Sequence, residues 1–367
     1  MRKTLYLLIM TVLAQPFYAR KETYRFLIGT YTNSGKSQGI YSYEVDMKTA
    51  IFTQKAVATG ISNPSYLAFS PDKKFVYAVS ESGNQSTANA FSFDKSTAKL
   101  TFINSSPTKG QGPCFIAVTK KHVFTANYSG GSVSVFGRKL DGSLTNDLQI
   151  IQHSGKSIIA RRQDAPHVHQ TMLSPDQRYL LVNDLGTDQV TAYKYIPNAA
   201  SEILTPWDTL SVKPGSGPRH TAFSKNGKRL YVVHEIDGTL SVLAMEKGKL
   251  SLIQETSVVR KDDNKAASAD IHLSPDGKFL YATNRGPAND ITCFSVSKDG
   301  KLEFRQQIPT GGDGPRNFAI TPDGKYVFVA HQRTDNIVIF KRDAKTGMLT
   351  DTGKQIEVGA PVCLVFY

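Results

Sequence analysis

The chain has 367 residues, of which 40% are hydrophobic and 20% charged, enough apolar material for a sizeable core and too much for a disordered or fibrous chain. Its formal charge of +13 does not point to nucleic acid, because lysines such as Lys73, Lys74, Lys228, Lys278 and Lys325 are scattered through turns and form no basic helix or stripe. Its three cysteines, Cys114, Cys293 and Cys363, lack metal-type spacing, and an odd number excludes a complete disulfide framework, which leaves buried strand thiols.

In chain order, Arg2 and Lys3 precede an apolar run from Leu5 to Leu13 that is too short to span a bilayer. Residues 1–19 therefore read as a secretory signal, with cleavage after Ala14 or Ala19. This predicts an exported, periplasmic protein with no membrane association after cleavage, and one domain over residues 20–367. If the signal does not function, the protein is cytoplasmic.

From there a unit of about 50 residues recurs, and each copy holds four strand-like segments. The first segment starts at a Gly or Pro turn, as in GPCFIAV from Gly112, GPRHTAF from Gly217 and GPRNFAI from Gly314. The second follows a hairpin signal such as SPDGK or SKNGK, where Asp, Asn and Gly supply turn conformations. The third and fourth alternate in hydrophobicity, as in SVSVFG and GKLSLIQETSV. The opening copy has no first segment, and an orphan segment, GAPVCLVF, ends the chain. Pairing the two closes a ring without open edges, so the sequence predicts an all-β, seven-bladed propeller of four-stranded antiparallel blades with a split closing blade. Residues 154–166, with Arg161, Arg162 and Asp164, are predicted as a loop over one face.

The repeat doubles as an internal alignment. One first-segment position holds Ser65, Cys114, His169, Arg219, Ala269, Arg316 and Val362. The position ending the second segment holds Tyr31, Glu81, Tyr128, Leu185, Glu235, Arg285 and Gln332. His169, Arg219, Glu235 and Arg285 thus fall on consecutive blades, and Arg316 extends the arc. An imidazole and a carboxylate can move protons, while guanidinium groups hold anions or a developing oxyanion. The same groups can also form a structural ion pair with a hydrogen-bonded core histidine. Arg316, His167 and His331 are candidates for substrate binding. His167 and His169 suggest metal ligation, but alternate strand residues point to opposite faces, so no metal is assigned.

The motifs GTYT, HxHQTMLSPD, GPRHTAF, VVHE, ADIHLSPDGKFLYATNR and GPRNFAITPDGKY resemble those of the lactonase-type seven-bladed propellers, the bacterial 6-phosphogluconolactonases and fungal 3-carboxy-cis,cis-muconate lactonising enzymes. The resemblance covers roughly residues 25 to 367 and implies catalytic roles for His169, Arg219, Glu235 and Arg285, with no required metal and no organic cofactor. It implies hydrolysis of a small anionic lactone or sugar lactone: Glu235 or His169 activates water while Arg219 and Arg285 hold substrate and oxyanion. Because a phosphorylated gluconolactone arises in the cytoplasm, an export signal favours an unphosphorylated substrate. A muconate-type cycloisomerase and a non-catalytic exported binding propeller are the alternatives.

Overall fold

The computed structural model describes residues 22–259 and 266–367, and the signal sequence expected at residues 1–19 lies outside them. The described residues contain twenty-eight strands, numbered β1 to β28 in chain order, in seven four-stranded antiparallel sheets. Blade 1 is the split one: β28 (Pro361–Phe366) is its inner strand, followed outward by β1 (Thr23–Thr30), β2 (Ile40–Asp46) and β3 (Ile51–Ala58). Blades 2 to 7 each use four consecutive strands, with the first innermost. Their inner strands are β4 (Leu67–Phe69), β8 (Pro113–Val118), β12 (Val168–Leu173), β16 (Pro218–Phe223), β20 (Ser268–Leu273) and β24 (Pro315–Ile320). Contacts of β28 with both β24 and β4 close the ring, as the sequence predicts.

The core lies between blades. Seven clusters of buried apolar side chains fill the seven blade-to-blade interfaces. Between blades 5 and 6, for example, Tyr231, Val233 and Leu240 pack on Ile271, Leu280 and Phe294. Strands buried on both faces explain why the second segments read as nearly continuous apolar runs. Tyrosines latch one blade to the next: the hydroxyls of Tyr77, Tyr231 and Tyr281 donate to the carbonyls of Gly142, Gly300 and Gly347 at 2.7, 3.0 and 2.6 Å. Each satisfies a buried hydroxyl that would otherwise oppose packing. The three cysteines are free and buried, as expected.

One local feature sets up the channel. In six inner strands the pairing with the next strand slips by one residue, and the slipped segment contains the residue that the internal alignment singled out. Val168 pairs with Asp184 and Gln170 with Asn183, so His169 is the extra residue of a β-bulge. Arg219 and Arg316 are extra in the same way. A bulge frees a side chain from the ladder and re-aims it, here into the channel. Gly217 and Gly314 introduce the two bulged arginines at φ +70° and +75°, in the left-handed region that favours glycine.

Candidate active site

The two aligned positions meet at one end of the channel. They line a cavity of about 220 Å³ with Cys114, His169 and Arg316 from inner strands and Glu81, Tyr128, Glu235 and Arg285 from the ends of second strands. Gly112 and Ser129 complete its wall. Larger grooves, one of about 450 Å³ beside Ser174, Asn226 and Gly248, run along blade edges between hairpin turns and hold no comparable convergence of groups.

Glu235 is the hub of one wall. Its carboxylate accepts from Arg219 Nε at 2.8 Å, pairs with Arg285 Nη2 at 3.0 Å, and takes a short hydrogen bond from Arg162 Nη2. Arg219 is 1% exposed and also donates to the Ala269 carbonyl, so it lies beneath the cavity as a buttress, clear of the cavity lining. In blade 6 the inner-strand position holds Ala269, too short to hold Arg285. That side chain instead spans from the Ala267 carbonyl, 3.0 Å from its Nε, across to Glu235. Burial pushes the Glu235 carboxyl up, but Arg285, Arg219 and Arg162 outweigh it and hold it well below the usual carboxylate range. Burial lowers Arg285 to about 10, with Glu235 opposing the shift.

His169 is buried at the edge of this cluster, its Nε2 4.0 Å from Glu235 Oε2 and its Nδ1 without a hydrogen-bond partner among the described residues. Burial, reinforced by Arg219, His220, Arg316 and Arg285, drives its pKa well below that of an ordinary imidazole. The ring is therefore neutral at pH 7 with a lone pair free to accept a proton, whereas the Glu235 carboxylate is occupied by three arginines.

The opposite wall is built differently. Glu81 occupies in blade 2 the position that Glu235 holds in blade 5. Its Oε1 accepts from Tyr31 Oη at 3.1 Å and, in a short contact, from Ser65 Oγ. Arg316 lies with its guanidinium carbon 5.5 Å from the centre of the Tyr31 ring, and among the described residues it makes no hydrogen bond or ion pair. It is the uncommitted cation of the cavity. Burial lowers its pKa, but Tyr31 and Glu81 more than reverse the shift, so it stays charged.

Below the cavity a second polar layer stiffens the channel. His220 Nδ1 is 2.8 Å from Asp270 Oδ1, and His272 Nε2 is 2.9 Å from Asp270 Oδ2. Asn317 donates to Asp270, and Arg219 Nη1 reaches His220 Nε2 at 3.3 Å. Burial lowers His220 to about 4, with Arg219 acting in the same direction, so its neutral ring can accept from that guanidinium.

The remaining predicted residues lie elsewhere. His167 stacks on the outer side of Tyr128, with ring centres 4.6 Å apart, and reaches the Tyr128 carbonyl at 3.0 Å. His331 does not join the site: it is fully buried against Gly312, beside the Asn336 backbone. It precedes Gln332, the residue in register, and neighbouring strand residues face opposite ways. Arg162 is the functional side chain that repeat reasoning missed. It comes from the predicted loop over residues 154–166, which has no counterpart in other blades, and its side chain is 42% exposed. Glu81 and Tyr128 stood in the internal alignment and could have been found there.

Comparison with known proteins agrees with this fold. Residues 25–366 match the model of the family described as lactonase, 7-bladed beta-propeller. The chain is 36% identical to a 6-phosphogluconolactonase of Formosa agariphila, over 93% of this chain and 98% of that protein. A solved chain from Bacteroides fragilis superposes with TM-score 0.91 at 42% identity, covering 96% of this chain and 100% of its own. The periplasmic gluconolactonase PpgL of Pseudomonas aeruginosa superposes with TM-score 0.89 at 35% identity, covering 94% and 99%. On its sequence, its ring of seven blades and its relatives, the chain belongs to the seven-bladed β-propeller lactonases.

Proposed function

We propose that the protein hydrolyses a sugar lactone, with His169 as the base that activates water and Arg285 and Arg316 as the cations that receive the oxyanion. The observation that carries this reading is a neutral, buried imidazole lining the same small cavity as two guanidinium groups, in a lactonase-family chain. As the water oxygen bonds to the lactone carbonyl carbon, His169 takes its proton and the carbonyl oxygen becomes an oxyanion beside the guanidinium groups. Collapse breaks the ring carbon–oxygen bond, and the imidazolium returns the proton to the departing alkoxide. The product is an open-chain hydroxy acid. The low proton affinity of His169 keeps the base unprotonated beforehand and makes the imidazolium a ready acid for the departing alkoxide. Glu235, 4.0 Å away, steadies the imidazolium and holds Arg285 in place.

A cavity of about 220 Å³ lies below the ~300 Å³ at which drug-sized pockets begin, which suits a single sugar ring. Arg2, Lys3 and the apolar run after them support export, and a periplasmic relative is in keeping with it. For an exported enzyme the substrate is an unphosphorylated aldonolactone. The test is turnover of glucono-δ-lactone and of its 6-phosphate by wild type and by His169→Ala. Wild type is expected to prefer the unphosphorylated lactone, and the variant to lose ~10²- to 10⁴-fold in kcat while remaining folded. An unchanged rate in His169→Ala removes the assigned base. Sequencing the N-terminus of periplasmic protein tests export, and an intact Met1 in the cytoplasm refutes it.

A further inference from the structure

The cavity has two carboxylates with unequal freedom to bind anything. Glu235 is engaged by three arginines. Glu81 uses one oxygen, Oε1, for Tyr31 and Ser65, and among the described residues no hydrogen bond reaches Oε2. One bond is donated by Tyr31 of blade 1 and the other by Ser65 of Glu81's own blade 2, so the carboxylate is held at the cavity wall. It is a positioned acceptor without a ligand donor.

We infer that Glu81 is a specificity residue that accepts a hydrogen bond from a ring hydroxyl of the substrate, so that the site selects polyhydroxylated lactones. This inference rests on the lactonase reading above and adds the chemical class. The groups lining the cavity then divide the work. Guanidinium groups of Arg285 and Arg316 meet the carbonyl end, where negative charge develops, and Glu81 meets the hydroxyl-bearing end, which can donate. A lactone with carboxylates in place of hydroxyls brings an anion against Glu81 and is disfavoured, as is a lactone with bare methylenes, which leaves a desolvated carboxylate oxygen unpaired. Discrimination against a wrong partner thus comes from the same group that recognises the right one.

The experiment compares glucono-δ-lactone with its 2-, 3-, 4- and 6-deoxy forms on wild type, Glu81→Gln and Tyr31→Phe. Hydrogen bonds to charged groups correspond to roughly 10- to 100-fold in kcat/KM. Glu81→Gln is expected to lose that factor on the parent lactone, mainly through KM. One deoxy lactone should show the same loss with wild type and no further loss with the variant. Tyr31→Phe keeps the carboxylate but frees it, and should give a smaller loss on the same hydroxyl. A uniform loss by Glu81→Gln on every lactone, or no loss on the parent, overturns the inference while leaving the lactonase reading intact. Wild-type protein that turns over none of the lactones overturns both. Should Glu81→Gln fail to fold, Tyr31→Phe and Ser65→Ala decide the matter by the same comparison.

Discussion

The walls of the cavity are made from the same repeat positions and behave oppositely. On blades 4 to 6, Arg219, Glu235 and Arg285 are tied to one another, and His169 is packed beside them. Across the channel, on blades 7, 1 and 2, Arg316 makes no side-chain hydrogen bond and Glu81 Oε2 takes none among the described residues. One wall has its carboxylate fully engaged and its arginines fixed on it, which suits holding a catalytic base and an oxyanion donor in register. The other has charges awaiting a ligand, which suits recognition. Preorganisation and affinity are therefore separable here, and substitutions should separate them.

The largest effect is expected from Glu235→Gln, which leaves Arg219 and Arg285 buried beside a neutral amide. Breaking a buried ion pair on one side typically costs about 3–5 kcal/mol, so both the thermal midpoint and activity should fall sharply. A variant that lost activity while melting like wild type would show that the wall is less interlocked than its distances indicate. Arg316→Gln should act in the opposite proportion. Loss of a free oxyanion donor is worth roughly 10²- to 10³-fold in kcat, whereas the melting midpoint should move by less than ~3 °C. A large destabilisation would mean that Arg316 is structural after all.

The third prediction concerns pH. Because burial and four neighbouring cationic or imidazole groups depress His169, the acid limb of kcat/KM should lie below the ordinary imidazole value of about 6.5. Arg316→Gln removes one of those groups and should move the limb upward. The same depression has a stability consequence. Below about pH 6.5 the unfolded chain binds a proton that folded His169 rejects, so this residue destabilises the fold progressively as pH falls through that range. Asp270, whose pKa burial raises but His272 and His220 lower still more, contributes stability above the unfolded carboxylate value that is lost in acid. Both shifts predict a melting midpoint that declines on acidification, read directly by scanning calorimetry. The smallest effect is expected from Arg162→Ala, since Glu235 keeps Arg219 and Arg285. A change in kcat/KM of only a few-fold should accompany it, and a loss as large as that of Glu235→Gln would place Arg162 among the essential groups.

Much of this was legible before any coordinates. The ring could be read because each blade repeats its turn signals, and because the missing first strand of one end is present at the other. His169, Glu235, Arg285 and Arg316 could be read because they break the chemistry of positions that are otherwise repeated. Three things were not legible, each for a physical reason. The bulge that turns His169, Arg219 and Arg316 into the channel is a one-residue slip in pairing, invisible without the partner strand. The burial of Arg219 below the cavity depends on how far the channel narrows, which the pattern does not encode. Glu81 stands in the alignment, but its place in the site depends on blades facing each other across a narrow ring, a nearness that order along the chain does not carry.

The split blade has a consequence for how the molecule comes into being. The inner strand of blade 1 is made after the other twenty-seven strands, and Val362 to Leu364 carry both the channel lining and a bond from the Leu364 amide to Asn317 Oδ1 at 2.7 Å. Until those residues leave the ribosome, β1 has a bare edge, and the interfaces of blade 1 with blades 7 and 2 lack Leu364 and Cys363. The ring is a clasp that the nascent chain cannot fasten in advance, so deleting β28 alone should cost it closure as a whole.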